Sequence, residues 1–400
     1  MPNAIRNFLA AVVALPLALA ACGTETATDN SGVEGINLDL KHRYGFVSIV
    51  DGTMGVVDLE TMAVVNRVNE SSRASHMLHA LPGQRDVFYG DWDTNDVLRV
   101  HFSEDMGSYE VAERIPSPVQ MHGFMTYGED DRYLIVLSRL ELTGKVLFEV
   151  EHNDTAIARY DRETGEWDTL ELGSPSFASF GPDGRLYVSN VHHKSISVVD
   201  LDTFTEVEQV AVGGDNWATG ASSIGPKAVE FSPDGRTMVT ADYEGMSLTL
   251  FDVTENGLEN KRLIPMNGVP KSLVFTNDGA ELWVVTYDLT SPKESIHANA
   301  GTYQSMGDWY EGPQPANETA NAYRNTTMHI FETDNMSEIG SFTTPKAMIA
   351  PKMSSADANL VYVTTSAGSI YAVDRTSLKL MGEAVVGRVG LPVICGNLAQ

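Results

Sequence analysis

Cysteine is nearly missing from this chain of 400 residues, which has only Cys22 and Cys395. A disulfide-dense scaffold is therefore excluded, and stability has to come from a buried core. Basic residues are scarce as well: 27 Lys and Arg stand against 54 Asp and Glu, a formal net charge of −27. Nucleic-acid phosphates need a basic surface, so nucleic acid is excluded as a partner, and gene regulation with it. The acidity serves solubility instead. Also missing are a Ser, His and Asp in catalytic order, a paired-carboxylate site, a Gly-rich phosphate loop, CxxC and CxxCH. No helical period runs through the chain, and no apolar stretch is long enough to span a bilayer.

What is present is a repeated unit, clearest between Pro226 and Met266. Pro226 to Gly235 reads PKAVEFSPDG, followed by strand-like runs at 236–242, 247–252 and 261–266. Ser-Pro-Asp-Gly is a tight-turn sequence, so the runs on either side pair antiparallel. The unit is a four-stranded meander, strands A to D, which cannot bury both faces alone. Its third strand recurs at Met54–Asp58, Val97–His101, Ile157–Asp161, Ile196–Asp200, Leu248–Asp252, Met328–Glu332 and Ile370–Asp374, each closed by an acid except at His101. Seven meanders spaced by about 45 residues predict an all-β, seven-bladed β-propeller.

The N-terminus departs from this pattern. Arg6 precedes an apolar run from Phe8 to Ala21 that ends in Leu19-Ala-Ala-Cys22. The segment resembles a bacterial lipoprotein signal (1–21), and the resemblance implies that Cys22 is lipidated and the chain is anchored in the periplasm, with Gly23 favouring the outer membrane. Loss of Cys22 to lipid would leave Cys395 unpaired. Residues 22–37, rich in Thr, Gly, Asn, Asp and Ser, read as a flexible tether. The propeller then occupies 38–400. Tyr44–Val50 and Gly55–Asp58 are strands B and C of a first blade with no local strand A, so Val393–Gly396 is expected to supply it and close the ring.

In such a meander the D–A and B–C loops share one face. Six residues before each A–B turn stand His76, His122, Ser176, Lys227, Lys271 and Lys352, with Val393 in the seventh place. Three ammonium groups around one opening predict a site for a small anionic ligand, cofactor or protein partner; the alternative is that each pairs with an acid of the adjacent blade or sits in channel water. His76 and His122 on neighbouring blades, beside Met77, Met121 and Met125, suit zinc, copper or a haem-type cofactor, unless the methionines are core filling. The same face receives the insertion 291–326, a lid-like segment, the insertion 141–153, the turn His192-His193-Lys194 and the loop 213–225 with Trp217.

Arg185–Asn190, Ser195–Asp200 and Thr205–Gly213 resemble the YVTN-type propeller repeat, with weaker copies over most of the chain. That family is similar in fold to the haem d domain of periplasmic nitrite reductases. The resemblance implies seven blades and residence outside the cytoplasm but no single activity. It makes His76 and His122 iron-ligand candidates by position, and any haem would be held non-covalently. The chain is thus expected to be a lipid-anchored binding propeller, with metal or tetrapyrrole handling, or a propeller-type hydrolase or lyase, as alternatives.

Overall fold

The structure is a computed structural model of the chain. It describes residues 43–49, 52–71, 74–80 (backbone only at 74–77), 85–91, 94–119, 121, 123–128, 131–138, 156–173, 175–190, 193–214, 225–243, 245–288, 326–365 and 368–386. The signal segment, tether, Cys22, His122, Trp217, the insertion 291–326 up to residue 325 and the closing strand at 393–396 lie outside these residues; Thr326 itself opens a strand.

All of the regular structure is antiparallel sheet. The first blade contains β1 (Tyr44–Ser48), β2 (Met54–Asp58) and β3 (Ala63–Val68); the second β4 (Ala74–Ala80), β5 (Asp86–Asp91), β6 (Asp96–Phe102) and β7 (Tyr109–Pro116). The third contains β8 (Gly123–Tyr127), β9 (Tyr133–Leu137), β10 (Ala156–Asp161) and β11 (Glu166–Glu171); the fourth β12 (Pro175–Phe180), β13 (Leu186–Asn190), β14 (Ser195–Asp200) and β15 (Thr205–Ala211). The fifth contains β16 (Pro226–Phe231), β17 (Thr237–Asp242), β18 (Ser247–Thr254) and β19 (Gly257–Pro265); the sixth β20 (Val269–Phe275), β21 (Glu281–Tyr287), β22 (Thr326–Glu332) and β23 (Ser337–Phe342). The seventh contains β24 (Met348–Met353), β25 (Leu360–Thr365), β26 (Ser369–Asp374) and β27 (Leu380–Val385). The predicted C strands are β2, β6, β10, β14, β18, β22 and β26.

The ring follows from where the apolar side chains go. Both faces of the middle strands are buried, and each face packs on a different neighbour, so the core consists of seven clusters wedged between successive blades. The cluster that joins the ends sets Val47, Val57 and Leu59 of the first blade against Tyr362, Ile370 and Val386 of the last. Arg67 also donates to the Val386 carbonyl across that joint. Seven sheets linked pairwise back to the start form the closed propeller.

The acid that ends each C strand turns the chain into the D strand. Asp58, Asp161, Asp200 and Asp374 each accept a backbone N–H from two or three residues ahead. Four residues after Asp58, Phe102, Asp200 and Glu332 come Met62, Met106, Phe204 and Met336, all at positive φ and all with the side chain buried. A non-glycine residue at positive φ is strained, and here packing into the interblade core offsets the strain. Much of the methionine is thus spent on sealing blades.

Candidate functional site at the propeller axis

Strand register decides which residues meet at the axis. In the fifth blade Pro226 pairs with Asp242, Asp242 with Ser247 and Ser247 with Pro265, so the start of the inner strand shares a face with the B–C turn and the end of the outer strand. The connections 139–155, 215–224 and 289–325 all leave from this face.

Just inside that mouth the inner strands bulge. Pairing jumps from Pro175 to Ala178, from Pro226 to Val229 and from Pro270 to Ser272, which frees Ser176, Lys227 and Lys271 from the ladder; the jump from Ala74 to Leu78 does the same for the backbone at His76. Bulges re-aim side chains and gather near functional sites. The Lys227 amine sits 4.5 Å from the Tyr243 ring centre and the Lys271 amine 5.2 Å from that of Tyr287. The two tyrosines meet edge to face at 6.5 Å, so adjacent blades hold their lysines in one cation–π assembly. Ser176 is fully buried, and its hydroxyl has no hydrogen-bond partner among the described residues.

Lys352 does not share this level. Lys227 lies four residues before Phe231, whereas Lys352 lies one before Met353, and Phe231 and Met353 hold equivalent places in their ladders. Lys352 is thus three residues further down its strand, and because the bulge sets three inner-strand residues against two of the partner, the separation is about 7 Å along the strand. The count from Ala358 fails because Ala358 stands five residues beyond Met353, whereas Pro233 stands two beyond the equivalent Phe231, so the reference point falls three residues late.

The level that Lys352 does occupy contains His79, Met125, Ser179, Glu230 and Val274, one from each of the other described inner strands. Lys352 acts electrostatically on both His79 and Glu230, from the second and fifth blades, neither of which adjoins the seventh. Groups on non-adjacent blades can be so close only across the axis. Glu230 is half-buried and Lys352 exposed although both belong to innermost strands, so the surface they retain faces an axial channel. Burial pushes the Glu230 carboxyl up to about 7, against the pull of Lys352. Burial, assisted by Lys352, pushes His79 below its ordinary value, and Asp131 opposes it. Lys352 forms no ion pair among the described residues, so the expected alternative of a neutralising acid on the adjacent blade is not what holds it.

Behind the mouth lies a buried polar layer. Asp242 is fully buried and accepts hydrogen bonds from the hydroxyls of Thr249 and, at 3.4 Å, Ser247, while its other oxygen has no partner among the described residues. Desolvation raises its pKa to about 7. Thr249 in turn accepts the Gly213 N–H at 2.9 Å, and Lys261 donates to the Gly213 carbonyl at 3.0 Å, so blade five grips the start of the loop that enters it. In the sixth blade His329 spans Thr286 and Glu338 in the same layer.

The sulfur expected around the histidines goes elsewhere. Met121 is buried in the core between the second and third blades, and Met125 packs between the third and fourth. Among the described residues no group of three or more His, Cys, Asp or Glu side chains could hold a metal ion. Glu230 and His79 were missed in the sequence, although a glutamate within an apolar inner strand, Val229-Glu-Phe231, was a readable signal.

No known family profile matches the chain, and no curated protein is similar to it. Solved structures are similar in fold. A protein of unknown function from Desulfotomaculum acetoxidans superposes with a TM-score of 0.61 at 12% identity, over 90% of this chain and 99% of that one. A candidate 6-phosphogluconolactonase from Bacteroides uniformis gives 0.61 at 12% identity, over 89% and 99%. Hydrazine synthase of Kuenenia stuttgartiensis gives 0.58 at 12% identity, over 90% and 99%. At such identity the shared property is the propeller itself, and the diversity of these names shows that it does not set the chemistry.

Proposed function

We propose that this protein is a binding propeller that takes an anionic ligand, or an acidic segment of a protein partner, at the mouth bordered by the D–A and B–C loops. One observation supports the reading: successive blades bulge at the same place, which leaves Ser176, Lys227 and Lys271 outside the ladder at the strand end that the D–A and B–C loops share, with the two lysines over tyrosines of the B–C side. The tyrosines beneath the two lysines fix the amines before a ligand arrives, which lowers the entropy lost on binding. The Leu19–Cys22 segment supports a periplasmic, lipid-anchored setting, where such a protein would meet solutes or neighbouring proteins. The test is calorimetry with a di- or tricarboxylate such as citrate at low and high salt. Lys227→Ala and Lys271→Ala should each weaken binding about tenfold, a loss expected for one charge-assisted contact. Affinity that ignores both salt and these substitutions would defeat the reading.

A second reading, hydrolysis, is favoured by Glu230, whose carboxyl titrates near neutrality as a general base requires. One of the structural neighbours is described as a candidate 6-phosphogluconolactonase. Turnover of a phosphorylated sugar lactone that disappears in Glu230→Gln would put this reading first.

A further inference from the structure

We propose that the axial channel carries a second anion site, separate from the mouth, in which Lys352, His79 and Glu230 hold one small oxyanion, a carboxylate or a tetrahedral anion of the phosphate class. Three inner strands, β4, β16 and β24, bring these side chains together, and all three occupy the same place in their ladders. Lys352 supplies a charged donor at the axis and is in no ion pair among the described residues. The Nε2 atom of His79 is buried without a hydrogen-bond partner among the described residues. A buried ring nitrogen left without a partner costs about 1–3 kcal/mol, so an acceptor placed against it recovers that loss. The Ser179 hydroxyl lies at the same level; Thr126, one residue further along its strand, already donates to Asp131 at 2.7 Å.

The chemistry of the set selects an oxyanion. A metal cation would meet an ammonium group, and an apolar ligand would leave the amine and the imidazole without partners. An oxyanion accepts from Lys352 Nζ and from His79 Nε2–H, with the neutral imidazole in the tautomer that leaves Nδ1 bare. Glu230 is the third wall. Facing it are Lys352 from β24 and the uncharged Ser179 and Val274 of the flanking strands; facing His79 are Asp131 and Lys352. An anion beside the Glu230 carboxyl is compatible with it only when that carboxyl is protonated, so binding takes up a proton and the carboxylic acid becomes a donor. The site is therefore predicted to bind more tightly as pH falls from 8 to 6, because as pH rises across that window the free channel loses a proton that the filled channel keeps.

Sulfate and acetate are suitable probes, since neither titrates between pH 6 and 8. Isothermal titration of the full chain should show a site whose affinity falls up to tenfold per pH unit above 7, with proton uptake visible as a dependence of the heat on buffer ionisation. Sulfate binding with no acetate binding would assign the tetrahedral class, and the reverse the carboxylate class. Lys352→Met should weaken the bound probe more than tenfold and Lys352→Arg restore it, while Lys227→Ala changes it less than twofold; a loss in Lys227→Ala alone would place the anion at the mouth and overturn the proposal. Glu230→Gln should bind with a flat pH profile. If Lys352→Met does not fold, the wild-type profile still decides: no binding of either probe at 20 mM, or pH-independent binding with no proton uptake, refutes the site.

Discussion

Replacing Asp242 by asparagine isolates what a buried, half-satisfied carboxyl does to the stability of the fifth blade. The carboxyl is fully enclosed, accepts hydrogen bonds at one oxygen only, and titrates near 7 instead of the ordinary 3.8. Desolvation is the main cause; the hydroxyls of Thr249 and Ser247 and the charge of Lys261 act against it. The folded state therefore holds a proton that the unfolded chain releases. Stability from this group is fully present below about pH 4 and is lost as pH rises through 7. A difference of about three pH units at 1.36 kcal/mol each sets the loss at up to about 4 kcal/mol. Asparagine keeps the acceptor for Thr249 and never ionises, but it puts an amide N–H where no acceptor stands, at a cost of about 1–3 kcal/mol. Asp242→Asn should thus be less stable than the parent at pH 4.5, and the difference should shrink or reverse by pH 8. Urea melts at half-unit pH steps measure this as the difference in midpoint between the two proteins, so that the other titrating groups cancel. A difference that stays constant from pH 4.5 to 8 would show that Asp242 is ionised throughout, with a counter-charge or water at its second oxygen, and would refute the argument.

Two further substitutions probe the frame around the site. Gly268→Ala should destabilise by about 2 kcal/mol or more, because φ is +127° there and the new methyl group would lie 2.7 Å from the Tyr287 carbonyl oxygen; it should also disturb the ring under Lys271, so citrate affinity measured beside the melting temperature should fall as well. Arg375→Met breaks the tie of the seventh blade to the sixth, where the guanidinium bonds Glu281 at 2.9 Å and Asp278 at 3.0 Å, and should cost about 1–3 kcal/mol at pH 7. The Thr276 hydroxyl, with help from Arg375, holds Asp278 down at about 2, so the stability it contributes is present above pH 4 and is lost as pH falls toward 2. The Arg375→Met deficit should therefore narrow in acid; a deficit of unchanged size at pH 2.5 would place its origin in packing alone.

The blades were readable from the sequence because each is local. Strand alternation, a turn such as Ser-Pro-Asp-Gly, and an acid after strand C are properties of a few dozen consecutive residues, and the seven C strands fall where the repeats put them. The bulged residues Ser176, Lys227 and Lys271 were readable for the same reason, since each sits at a fixed distance from a regular turn. Lys352 was misplaced because its A–B turn lacks the Ser-Pro-Asp-Gly landmark, so the count started from Ala358, three residues beyond the place that Pro233 holds in its own turn. The positive-φ methionines were invisible as seals, because nothing in a lone methionine distinguishes a plug between blades from a potential sulfur ligand.

From the sequence alone came the number of blades, the direction in which each strand runs and the face on which the long loops open, since hydrogen-bonded neighbours in a meander are neighbours in the chain. Only the closed ring could decide that His79, Glu230 and Lys352 share one level of the channel. Their positions are far apart in sequence and belong to blades that do not touch, and it is the convergence of inner strands on a common axis that makes a low-polarity surrounding for Glu230 and sets an amine against it.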